Sequence, residues 1–104
     1  MHAKVTEVLT NATSGSGTRS PHPASTKFMV EVEWGVGTTA GSVVVETAPH
    51  DAYAGTWNNK TTFSWAAADS IDEWRGDGPF GAVRVRIVSL TTNDKGVTAR
   101  VREA

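Results

Sequence analysis

From Lys27 to Trp34 the chain alternates without a break: Phe28, Val30, Val32 and Trp34 fall on one parity, Met29, Glu31 and Glu33 on the other. A period of two over eight residues predicts a strand with one face buried and one wet. Two further segments repeat the pattern. In Gly81 to Leu90, Val83, Val85 and Ile87 oppose Arg84 and Arg86, and Val97, Ala99 and Val101 alternate with Thr98, Arg100 and Arg102. The connector Thr91 to Gly96 holds Asn93, Asp94 and Gly96, which suits a short loop, so these two segments read as a closing hairpin. From Ser42, the consecutive Val43, Val44 and Val45 predict a strand covered on both sides, with Glu46 and Thr47 marking its approach to the surface. Weaker strands are expected over Ala3 to Leu9 and Thr61 to Trp65.

Between these elements the chain is punctuated. Gly35 to Gly41 carries three glycines in seven positions and reads as a loop, Pro49-His50-Asp51 breaks the pattern, and Gly76-Asp77-Gly78-Pro79 ends whatever precedes it. Asp69 or Ser70 is placed to cap a short helix or turn running into Ile71, Asp72, Glu73 and Trp74. Asn11 to Ser25 has no large apolar residue and reads as a flexible connector, longer than compact domains usually need. Residues 1–25 are therefore expected to form an N-terminal strand or arm with its linker, and residues 26–104 the domain proper.

Composition sharpens the fold class. Valine occurs 13 times and threonine 14 times, against two isoleucines and two leucines, and β-branched residues favour pleated surfaces over helices. Short strands at intervals of roughly 8 to 15 residues, with no intervening helices, predict an all-β protein. The expected architecture is an antiparallel β-sandwich, Ig-like or jelly-roll-like, of about seven short strands with a possible N-terminal arm. The chain has 104 residues, which fits one domain. Acids dominate from Glu31 to Asp77, whereas the last segments carry Arg84, Arg86, Arg100 and Arg102, so strands of opposite sign are expected side by side on a solvent face.

Charge and special residues exclude more than they suggest. With no cysteine there is no disulfide scaffold, thiolate metal site or cysteine nucleophile. A net charge of -1 gives no field for nucleic acid or an anionic membrane, and no apolar run approaches a bilayer span. Met-His-Ala-Lys-Val lacks the layout of a signal peptide, so no secretory route is expected for the acceptor patterns at Asn11 and Asn59. His2, His22 and His50 do not share a metal-ligand spacing. Asp69, Asp72, Glu73 and Asp77 form the densest acidic group, and paired carboxylates can hydrolyse glycosides, but capping and a wet surface account for them better. Arg75-Gly76-Asp77 spells an integrin-recognised tripeptide, for which a turn between glycines is the simpler reading. No catalytic residue, cofactor or metal is expected.

Four tryptophans are many for this length. Two or three are expected in the core, and Trp57 or Trp74, both placed in loops, as partly exposed anchors, since Trp and Arg are the usual hot-spot residues. The residues assigned to partner contact are Val5, Trp57, Trp74, Arg84 and Arg86.

From Gly41 to Arg102, a strand ending in Glu46, a loop holding Asp51 and Gly55-Thr56-Trp57, the strand Arg84-Val85-Arg86-Ile87 and a closing segment with Gly96 resemble small β-rich virion proteins of tailed bacteriophages. The resemblance implies a structural component and no enzyme: a capsid decoration (cement) protein, or a head or tail accessory. It implies a virion location, assembly in the host cytoplasm, the major capsid protein or other virion proteins as partners, and a homo-oligomer on the virion. A carbohydrate-binding or adhesion module stacking sugars on Trp57 or Trp74 is the alternative, and an acid-cluster glycosidase ranks lowest.

Overall fold

The computed structural model describes residues 4–14, 20–21, 27–49, 53–66, 71–77 and 81–103. They form eight strands: β1 (Lys4–Ala12), β2 (Ser20–Pro21), β3 (Lys27–Glu33), β4 (Thr38–Ala48), β5 (Asn58–Ser64), β6 (Ile71–Asp77), β7 (Ala82–Thr92) and β8 (Val97–Glu103). Seven are of sandwich length and β2 is a two-residue bridge. Among the described residues there is no helix.

The strands make two four-stranded antiparallel sheets in the orders β1-β8-β3-β6 and β2-β7-β4-β5. The pairings β1·β8, β2·β7, β3·β6 and β4·β5 are the rungs of one long hairpin. Rolling that hairpin on itself adds β3·β8 and β4·β7. This is a jelly roll, the second of the two sandwich types expected.

The core follows from the alternation. Phe28, Val30 and Val32 of β3, Val43 and Val45 of β4, Val83, Val85 and Ile87 of β7, and Val97, Ala99 and Val101 of β8 are buried together between the sheets. The largest fully buried side chains are nearly all valine, so the interior is thin and filled by small branched side chains. Trp34 joins this core, Trp65 and Trp74 pack at its margin, and Trp57 sits in a second cluster with Ala48 and Ala82. Val44 is also buried, so β4 is covered on both faces as its valine run predicts.

Four expectations are corrected. The first strand is no detached arm: β1 pairs with β8 from Lys4↔Glu103 to Ala12↔Val97, and Val8 and Leu9 lie in the core. Both can be buried because the register shifts between Glu7 and Leu9, a bulge that turns consecutive apolar side chains inward. The closing segments are no hairpin, since β7 and β8 lie in different sheets and their connector crosses the sandwich. Residues Ile71 to Trp74 are extended, because β6 pairs residue for residue with β3 and places Trp74 against Phe28, with ring centroids 5.6 Å apart. Gly76 lies in that strand rather than a turn, and a side chain there would strike the Phe28 ring. Elements also extend beyond their expected starts: β4 begins at Thr38 and β5 at Asn58. The proposed caps Asp69 and Ser70 and all three histidines lie outside the described residues.

One end of the roll is drawn tight by glycine. Val36 and Gly37 carbonyls accept the N–H groups of Lys95 and Asn93, tying the β3–β4 turn to the β7–β8 connector. A Cβ at Gly35 would meet the Gly96 carbonyl, and one at Gly96 the Ala12 carbonyl, so three chain segments cross at backbone contact. Asn11 adopts a positive φ of 48° at the β1 bulge, and its Oδ1 accepts the Gly96 N–H at 2.6 Å.

Candidate partner-binding surfaces

On the outer face of the second sheet, Ala82, Arg84 and Arg86 of β7 alternate with its core valines, and register places Glu46 directly opposite Arg84. The Glu46 carboxylate accepts from Arg84 Nε at 2.9 Å and from Arg86 Nε at 3.3 Å. Glu46 is only 6% exposed. Trp57, just before β5, rests on Ala48 and Ala82, with Tyr53 beside them. The Arg84 guanidinium lies 4.3 Å from the centre of the Trp57 ring, a cation–π contact.

The sequence therefore brings three of its five assigned contact residues together on this outer face, but engages them with one another and with Glu46. Trp57 is 6% exposed and its face is used by Arg84, so it is no free anchor. Arg86 keeps more of its side chain in water, at 40% exposure. The other two residues lie in the first sheet, on opposite edge strands. Val5 is exposed on the outer face of β1, whereas Trp74 points inward from β6 and is partly buried. Sequence reasoning passed over Glu46 as the organising group, although its place at the end of a valine run opposite an arginine strand was visible.

The outer face of the first sheet is a charge ladder. Glu7 of β1, Arg100 of β8, Glu31 of β3 and Glu73 of β6 stand in one row across four strands. Arg100 reaches Glu31 at 3.2 Å, Glu33 at 3.3 Å and Glu7 at 3.6 Å, and Arg102 reaches Glu31 at 3.4 Å. Desolvation lowers the pKa of the Arg100 guanidinium, but hydrogen bonds to Glu33 and Glu31 and the charges of Glu33 and Glu7 outweigh it and hold the pKa above its ordinary value. Asp72 and Glu73, neighbours in the densest acidic group, point to opposite faces of β6, so they do not form a carboxylate pair. Asp72 instead accepts the indole N–H of buried Trp34 at 2.8 Å. Among the described residues no group of three or more His, Cys, Asp or Glu is arranged to hold a metal ion.

Beside the glycine crossing, a hollow of about 280 Å³ is lined by Asn11, Trp34, Val36, Lys95 and Thr98, among others. It is open, mixed in polarity and walled largely by backbone turns.

No family matches this chain, and no curated protein does. Among solved structures it is similar to the SPBc2 prophage-derived protein YomS, with a TM-score of 0.71 and 14% identity, covering 98% of this chain and 94% of that one. At that identity the likeness is one of fold, and it extends over the whole jelly roll.

Proposed function

We propose that this domain is a structural protein of a tailed-phage virion that binds the assembled head as a decoration protein, with the major capsid protein as its partner. The observation that carries the reading is the end-to-end match of the jelly roll to a prophage-derived protein, with nearly all of each chain included. The surface chemistry agrees with it. Arginine–carboxylate pairs lie on the outer face of each sheet, a charged surface suited to polar contacts with a protein partner. No catalytic role is assigned to any residue. Many copies on a repeating lattice gain avidity from weak individual contacts, so exposed groups such as Val5 and Arg86 suffice without a deep pocket. Sugar stacking on Trp57 is disfavoured by the guanidinium already lying on that ring.

The test is co-sedimentation of the purified protein with mature heads and, separately, with isolated tails of the phage that encodes it. Saturable binding to heads at a fixed ratio of copies per capsid subunit is expected. Binding to tails alone would move the protein to a tail or head–tail accessory role, and binding to neither would sink the proposal.

A further inference from the structure

From the open edge of the first sheet we infer that two copies of this chain pair through β6, antiparallel about a two-fold axis at Trp74, joining their first sheets into one. This stands apart from head binding and survives its failure.

Strand β6 ends the order β1-β8-β3-β6, and its far side meets no other strand among the described residues. Edge strands of this kind are ordinarily blunted by bulges, prolines or lysines. The opposite edge, β1, carries two register shifts, and β4·β5 is interrupted between Val45 and Glu46 beside an edge strand bearing Lys60. Strand β6 pairs with β3 over seven consecutive residues without a shift and contains neither proline nor lysine. Its one inward acid, Asp72, is engaged by Trp34. A straight ladder of backbone groups, with no bulge, proline or lysine, therefore lies on the side of β6 away from β3.

Charge selects the register. Ile71, Glu73 and Arg75 point to the outer face and are exposed. Glu73 stands across from Glu31, whose arginines lie on the far side of β3, and Arg75 stands across from Met29. Among the described residues no ion pair reaches Glu73 or Arg75. In a continuous antiparallel sheet outward residues must face outward residues, so the partner strand shifts in steps of two. Centring the axis on Glu73 or on Arg75 sets like charges directly opposite each other. Centring it on Trp74 places each Glu73 opposite the other copy's Arg75, twice by symmetry, and satisfies both surplus charges.

Sedimentation equilibrium of the full chain is expected to give a reversible dimer. Glu73→Arg and Arg75→Glu each set like charges across the axis and should weaken dimerisation by roughly tenfold or more. The exchange Glu73→Arg/Arg75→Glu restores opposite charges and should recover the dimer. Both sites are on a solvent face, and unchanged circular dichroism confirms that each of the three variants folds. A chain that stays monomeric at all concentrations, or a dimer indifferent to the single changes, or an exchange that fails to rescue, would overturn the inference.

Discussion

Replacing Glu46 by Gln keeps the shape and one acceptor of a nearly buried carboxylate while removing its charge. The Arg84 bond is short, directly cross-strand and mostly sheltered, with Arg84 at 22% exposure. Hydrogen bonds to charged groups contribute about 1 kcal/mol more than neutral ones, so that loss should be felt nearly in full. The Arg86 bond is longer and its side chain wetter, so it belongs with exposed pairs, at about 0.2–1 kcal/mol. Together these give a destabilisation of about 1–2 kcal/mol, or a fall in Tm of roughly 5–15 °C for a domain of this size. Urea denaturation followed by tryptophan fluorescence measures it, with Trp57 reporting locally through its contact with Arg84. A double-mutant cycle with Arg84→Met should return a coupling of about 1 kcal/mol or more, and one with Arg86→Met less than about half of that. Equal couplings, or an Arg84 coupling indistinguishable from zero, would refute the view that burial makes one of these two bonds dominant.

Two further outcomes check the fold. Leu9→Ala should cost about 2–5 kcal/mol in denaturant unfolding, because β1 contributes to the core; a change near zero would restore the detached arm. Gly76→Ala should cost about 1–3 kcal/mol by driving a methyl into the Phe28 ring, and Phe28→Leu in the same chain should return part of that loss.

The inward faces of β3, β7 and β8 were legible because Phe28, Val30 and Val32, then Val83, Val85 and Ile87, then Val97, Ala99 and Val101 keep a strict period of two, and β4 was legible as a strand covered on both sides from its consecutive valines. Charge segregation was legible too: Glu31 meets Arg100 and Arg102, and Glu46 meets Arg84 and Arg86. Strand β6 was not, because its core-facing positions are Asp72, Trp74 and Gly76, chosen for an indole partner, an aromatic edge and room for Phe28 rather than for hydrophobicity. The separation of β7 from β8 was hidden for another reason: Asn93, Asp94 and Gly96 suit a tight reversal and a crossover between sheets alike. Trp57 looked available because nothing local shows that Arg84, far along the chain, would cover it.

The rolled-hairpin pairing also orders the search through conformations. Strands β4 and β5 meet across one connecting segment, whereas Lys4 finds Glu103 only when almost the entire chain has been brought round. Each rung nearer the tip shortens the excursion needed to close the next, so the cheapest route zips from β4·β5 through β3·β6 toward β1·β8. Of these eight strands the first in chain order is then the last to dock, and until it does the valine flank of β8 stays uncovered to any neighbouring chain.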